Sequence, residues 1–198
     1  MLPDPEKLRG RSAKLILQEY CRRSAVIIPL IKRGDSFDVL FEVRSEKIGR
    51  QPGDVCFPGG AMKRGESPED AAVREACEEL LIKPEQLELI CSCDYFHNSA
   101  NVVYPFAAWL SEYDGSFSDA EVAEVFSVPV EFFLNTKPMV CDSRMVRATD
   151  DDFPYHLINR GKDYKWPPRV DKELFYIYEG RTIWGISARI LKGFLDLL

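Results

Sequence analysis

The chain has 198 residues, 45% of them hydrophobic and 29% charged, the balance of an ordinary soluble globular protein with one large domain. Its formal net charge of −6 argues against a general nucleic-acid binder. No stretch reaches the roughly 18 consecutive apolar residues of a membrane span, which argues against a membrane protein.

In chain order, residues 7–20 read as an amphipathic helix within an N-terminal extension over 1–22. Residues 24–31 and 37–43 read as strands, and Lys32-Arg33-Gly34-Asp35 between them predicts a hairpin. Residues 49–60 contain four glycines and two prolines, too broken for regular structure. A helix then announces itself: Ser67 suits the N-cap, Pro68 the first helical position, and Glu69 and Asp70 the positive N-terminal end. It should run to about Leu81, with Pro84 stopping it.

Further along, residues 87–95 and 102–110 read as strands, 121–126 as helical or irregular, and 130–134 as a short helix. Residues 139–147, 155–159 and 174–178 read as strands. Ile183, Ile186, Ile190, Leu191, Phe194, Leu195 and Leu198 follow the i, i+3, i+4 pattern of a final helix over 182–198. That apolar stripe is compatible with a homodimer and is equally explained by core packing. Strands with helices before, between and after them predict a single α/β or α+β sandwich over the whole chain.

The six cysteines are Cys21, Cys56, Cys77, Cys91, Cys93 and Cys141, and only His97 and His156 accompany them. One residue separates Cys91 from Cys93, not the two to four of a zinc knuckle. Reduced thiols in a cytoplasm are expected. The N-terminus lacks the apolar run of a secretory leader.

The helix from Ser67 carries the chemistry. Glu75, Glu78 and Glu79 project from one face, because helical neighbours lie three and four positions apart. Val73, Cys77 and Leu80 are expected on the core face. Three bunched carboxylates repel unless a cation sits among them, and hard divalent ions such as Mg²⁺ take oxygen ligands.

Gly60-x5-Glu66-x7-Arg74-Glu75-Ala76-x-Glu78-Glu79-x-Leu81-Ile82 resembles the Nudix box, G-x5-E-x7-R-E-U-x-E-E-x-G-U, where U is aliphatic. Ala76 is smaller than the usual Leu or Ile, and Leu81 replaces the last glycine, which serves the helix exit. The resemblance implies an α/β/α sandwich with a mixed β-sheet. It also implies a hydrolase using Mg²⁺ or Mn²⁺, with Glu75, Glu78 and Glu79 as metal ligands and the Gly59 carbonyl as a further one. Glu66 and Arg74, with Gly60, would brace loop against helix.

Leu40-x3-Arg44-Ser45-x7-Gly53-x3-Phe57-Pro58-Gly59-Gly60 is similar to the segment marking the coenzyme A pyrophosphatase branch. Glu42 stands at its threonine position, and Arg50 matches its inner arginine loosely. Tyr176, Tyr178 and Ile183-Trp184-Gly185-Ile186-Ser187-Ala188 resemble the family's closing strand and helix, so the likeness runs from about Ala25 to the C-terminus. It implies cleavage of coenzyme A or acyl-coenzyme A into 3′,5′-ADP and a 4′-phosphopantetheine. Arg44, Ser45 and Arg50 would hold the substrate, since the arginine fork matches phosphate oxygens. Glu75, Glu121 and Glu124 are three open candidates for the general base. ADP-ribose, NADH and dinucleoside polyphosphates are the alternative substrates. A non-catalytic nucleotide-binding domain ranks below both, because every box glutamate is present.

Overall fold

A computed structural model describes residues 20–198; the helix expected over 7–20 lies outside the described residues except for Tyr20. Strand β1 (Arg22–Arg33) turns at Gly34, which has positive φ, into β2 (Ser36–Arg44). The hairpin register pairs Arg33 with Ser36 and Leu30 with Val39. Two short strands, β3 (Val55–Cys56) and β4 (Gly59–Ala61), follow, then helix α1 (Pro68–Leu80). Next come β5 (Leu87–Ser92), β6 (Phe96–His97), β7 (Asn101–Leu110), β8 (Val122–Pro129) and helix α2 (Val130–Asn135). The chain closes with β9 (Met139–Met145), β10 (Arg169–Tyr178), β11 (Arg181–Trp184) and helix α3 (Gly185–Leu195).

Strands β3-β2-β1-β7-β5 lie side by side in that order, with β4 on β1, β6 on β7 and β8 on β2. The β1–β7 pair is parallel and the others are antiparallel, so the sheet is mixed. The alternation of β1 assigns the two faces. Ala25 and Ile27 pack with Ala71, Ala72 and Ala76 of α1, whereas Ile28 and Leu30 join Ile190, Leu191 and Phe194 of α3. A helix on each face of a mixed sheet is the α/β/α sandwich that the sequence predicts. Strands β11-β10-β9 form a separate small sheet, which sends Tyr176 and Ile183 into the core beneath α3. The apolar stripe of α3 is thus engaged inside its own chain.

Several expectations are corrected. Residues 121–126, read as helical or irregular, open onto strand β8, whose antiparallel pairing with β2 is a long-range contact that local pattern does not reveal. Residues 155–159, read as a strand, begin with the 3-10 turn Tyr155–Leu157 behind Pro154, where Phe153, Tyr155 and Trp166 pack together. The broken loop over 49–60 contains β3 and β4, held by pairing with β2 and β1. The last helix begins at Gly185, because Arg181–Trp184 pair with β10. Strand β5 ends at Ser92, short of residue 95, after a register shift between Leu89 and Cys91.

The inner face of α1 is also rotated from expectation. Ala71, Ala72, Ala76 and Leu80 are buried together with Glu79, while Val73 and Cys77 are only half-buried. Small alanines let the helix sit close against β1 and β7, and that close approach takes Glu79 inward.

Helix α1 begins as predicted, with the Asp70 amide donating to Ser67 Oγ at 3.1 Å. It ends on Leu81 in the left-handed conformation, φ 52° and ψ 39°, so leucine adopts the geometry the motif reserves for glycine. Leu81 is 60% exposed and has little packing to lose. The left-handed region costs an L-residue about 1–2 kcal/mol, and the greater freedom of unfolded glycine offsets about 0.4–1 kcal/mol of that. Leu81→Gly is therefore expected to raise the unfolding free energy by roughly 0.5–1 kcal/mol in a urea titration.

Candidate active site

Strand β4 brings the glycine turn against β1, with Val26 opposite Gly59 and Ala25 opposite Gly60. The approach is very close. A Cβ on Gly59, which has φ +152°, would lie 2.4 Å from the Ala25 carbonyl oxygen, and one on Gly60 would lie 2.5 Å from the Glu75 carboxylate. Only glycine fits at position 59, where the clash is with backbone, whereas a Cβ at position 60 would have to displace the Glu75 side chain. The Gly59 amide donates to Glu79 Oε2 at 2.6 Å, which ties the turn to the far end of α1.

Arg74 fastens the other end. Its Nε and Nη2 form a fork on the Glu66 carboxylate at 2.7 and 3.0 Å, and its Nη1 donates to Glu75 Oε1 at 2.7 Å. It also reaches the Ala61 carbonyl at 3.3 Å and Glu78 Oε2 at 3.4 Å. The Lys63 amide donates to Glu66 Oε2 at 2.8 Å. These donors hold the Glu66 carboxyl down to about 2, the Arg74 fork acting most strongly and the Lys63 amide next. Loop 63–66 and helix α1 are thereby locked together, with Glu75 fixed in direction.

A cavity of about 730 Å³ opens beside this frame. Glu75, Glu79 and Glu121 line it together with Arg44, Arg50 and the Gly59–Gly60 turn. The Arg44 guanidinium donates through Nε to the Arg50 carbonyl at 3.2 Å, so the two cationic residues are linked. The small sheet and α3 contribute Met145, Arg169, Trp184 and Arg189 to the same lining.

Not every expected residue faces this space. The Glu78 side chain is 54% exposed and lies outside the lining, turned toward Arg74. Ser45 is buried; its hydroxyl accepts from the Lys47 amide at 3.3 Å and its own amide donates to the Glu121 carbonyl at 2.8 Å. Glu124 accepts from Arg181 Nε at 3.1 Å and is likewise outside the lining.

One acidic residue was given no role by the sequence reading. Glu42 is fully buried on β2, with Oε1 accepting from the Cys56 thiol at 3.2 Å. Its signals were a charge beside the apolar run Val39-Leu40-Phe41 and the departure from threonine at this position of the branch pattern. Burial above all, then the charges of neighbouring carboxylates, pushes both Glu42 and Glu79 well above the usual carboxyl range. Hydrogen bonds from Cys56 to Glu42 and from Gly59 to Glu79 work against that rise.

Hard oxygen donors that repel one another at a glycine turn form the donor set a divalent cation prefers, so these residues fit such an ion. Among the described residues, no three acidic, imidazole or thiol groups converge as a finished metal cage.

A family profile described as a NUDIX domain matches residues 22–147. The chain belongs to the Nudix hydrolase family. The matched segment of this Nudix chain spans β1 to β9 and stops short of β10, β11 and α3. The Nudix chain is 33% identical over 161 residues to a peroxisomal coenzyme A diphosphatase of Mus musculus, covering 80% of this chain and 64% of that one. The Nudix chain thus spans a little under two thirds of the mouse relative's length. It is 41% identical over 175 residues to an uncharacterized Nudix hydrolase, NudL, of Citrobacter koseri, covering 86% of this chain and 80% of the other. Among solved structures, it is similar to a C. elegans Ap4A hydrolase binary complex, with a TM-score of 0.48, 22% identity, and coverage of 57% and 83% of the two chains. No described helix of the Nudix chain is long and apolar enough to cross a membrane.

Proposed function

We propose that the chain hydrolyses the pyrophosphate bond of coenzyme A or an acyl-coenzyme A, releasing 3′,5′-ADP and the corresponding 4′-phosphopantetheine. The observation that carries this reading is one cavity lined by three kinds of group: carboxylates Glu75, Glu79 and Glu121, the arginine pair Arg44 and Arg50, and the apolar and cationic set Met145, Trp184 and Arg169. A pyrophosphate needs only the first two. The third suits a long substrate with a flexible arm and a further phosphate. Likeness to the mouse coenzyme A diphosphatase supports the same choice.

Glu75 and Glu79, with the Gly59 carbonyl and the more exposed Glu78, would hold Mg²⁺ or Mn²⁺. A bound divalent ion would neutralise charge on the bridging phosphates and lower the pKa of a coordinated water. Arg44 and Arg50 would grip phosphate oxygens. Glu121 is the general base we favour over Glu75 and Glu124. Its carboxylate lines the cavity, while its backbone is fixed by the Ser45 amide at 2.8 Å and by its own amide on the Ser118 carbonyl at 3.1 Å. Glu75 is engaged by Arg74, and Glu124 by Arg181. In this reading Ser45 steadies the Glu121 loop and leaves phosphate binding to the arginines.

Incubation with coenzyme A and Mg²⁺ or Mn²⁺ tests the reading, with products separated by chromatography. Release of 3′,5′-ADP is expected, with dephospho-coenzyme A a poorer substrate because it lacks the 3′-phosphate. Absence of 3′,5′-ADP together with turnover of ADP-ribose, NADH or a dinucleoside polyphosphate would instead establish the second reading. Arg44→Ala is expected to raise KM by about 10–100-fold, the worth of one charged hydrogen bond of roughly 1.5–3 kcal/mol.

A further inference from the structure

Strand β2 carries a glutamate in a place built for apolar side chains. Side chains alternate between faces along a strand, so Leu40 and Glu42 share one face and Phe41 takes the other. Leu40 packs with Leu80 of α1, which makes its face the helix side. Phe41 stacks on Phe57 with ring centroids 4.8 Å apart, in the core on the opposite side. Glu42 therefore rises toward α1, one pleat nearer the strand end at Arg44. Glu79 immediately precedes Leu80 on the helix that covers it.

The carboxyl of Glu42 has no exposed surface. Oε1 accepts from the Cys56 thiol at 3.2 Å, and Oε2 has no hydrogen-bond partner. Glu75, Glu79 and Glu121 are the negative charges acting on it, against the positive charge of Arg44. A buried carboxylate oxygen with no donor, among three like charges, is unfavourable for folding alone. It is favourable where a positive ion sits within the group. The coenzyme A pyrophosphatase pattern has threonine at this place, so the extra charge is a feature of this chain's own sequence.

We propose that Glu42 is a positioning residue of the cation site, reaching it from the sheet side beneath α1 and adding a buried carboxylate beside Glu79. The inference rests on the metal-dependent reading above. Glu42 would strengthen retention of the divalent ion held at Glu79 without touching substrate.

Mn²⁺ binding tests this directly, followed by the loss of the free-ion electron paramagnetic resonance signal on titration into the metal-free full chain. Thermal melting of the metal-free protein is measured in parallel. Glu42→Gln is expected to bind Mn²⁺ about tenfold more weakly or worse, the range typical of groups that support metal ligands. Its metal-free melting temperature is expected to match or exceed wild type, because an unpaired buried charge has been removed. Glu42→Thr, the residue of the branch pattern, should behave in the same way and serves if the Gln variant does not fold. Mn²⁺ affinity within about twofold of wild type overturns the proposal, since a supporting group normally contributes more than that. Weaker binding together with a lower metal-free melting temperature in both variants also overturns it, because a loosened site then accounts for the loss. Wild-type protein that binds no Mn²⁺ would remove the metal-dependent reading and this inference together, whereas unchanged binding in the variants removes the role of Glu42 alone.

Discussion

Glu79→Gln is expected to lower turnover of the pyrophosphate substrate by at least about 10²-fold, since loss of a direct ligand should exceed the 10–100-fold cost of losing a supporting group. The fold should survive, because the amide keeps an oxygen to accept the Gly59 N–H, 2.6 Å away in the native chain. Stability should move in the opposite direction from activity. Burial, then the charge of Glu42, raises the Glu79 carboxyl above its ordinary value of 4.5. A carboxyl with a raised folded-state value contributes stability that is complete below the unfolded value and is lost as pH rises through the folded one. In metal-free wild-type protein that loss begins near the ordinary value and grows through neutral pH. Glutamine does not titrate. The metal-free Gln variant should therefore melt at or above wild type at about pH 8, and the gap should narrow toward about pH 5. Saturating Mg²⁺ should stabilise wild type more than the variant, because a ligand that binds only the folded chain adds stability according to its affinity. Turnover equal to wild type would sink the ligand assignment. A variant whose gap widened toward low pH would contradict the account of the buried charge.

How much of this was readable in the sequence depended on how local the determining interactions are. Helix α1 was legible because its start is set by adjacent residues: Ser67 caps it, Pro68 suits its first position, and Glu69 and Asp70 favour its positive end. The β1–β2 hairpin was legible for the same reason, since its turn lies between the two strands. Strand β8 was not, because its regularity comes from β2, about eighty positions away in the chain. Strands β3 and β4, of two and three residues, exist only through their partners.

The site divides along the same line. The spacing of Glu66, Arg74, Glu75 and Glu79 is contained in one loop and one helix, and the structure brings all four to the same frame. The choice between Glu121 and Glu124 turns on where β8 begins and on the register shift opposite Val43 and Arg44, which sets which acid faces the cavity and which meets Arg181. Glu42 was hidden because a charge in an apolar strand does not say which layer covers it. The inward turn of Glu79 was hidden because three alanines bring the helix nearer the sheet than periodicity alone suggests.

The two adjacent glycines of the turn should fail in different ways. Gly59→Ala would place a Cβ 2.4 Å from the Ala25 carbonyl oxygen and 2.6 Å from the Val26 Cα. Both atoms belong to the backbone of β1, the strand that carries both faces of the core, and neither can swing aside. The φ of +152° also lies where an L-residue is strained. Backbone strain of about 1–3 kcal/mol and overpacking of a similar size add to about 2–6 kcal/mol of lost stability. For a chain of this size the middle of that range, about 4 kcal/mol, corresponds to a fall of about 8–16 °C in Tm. Gly60→Ala instead meets Glu75, with its Cβ 2.5 Å from both Cδ and Oε2. A side-chain carboxylate can move, so the fold should hold within about 1 kcal/mol while Glu75 is displaced from the cavity and from Arg74 Nη1. Turnover is then expected to drop by about 10²-fold, as misplacement by an ångström does in other sites. Differential scanning calorimetry and product release measured on the two variants separate these effects. If Gly60→Ala lost stability as Gly59→Ala did while its remaining folded fraction stayed active, the close approach of Glu75 to the turn would be a packing contact and nothing more.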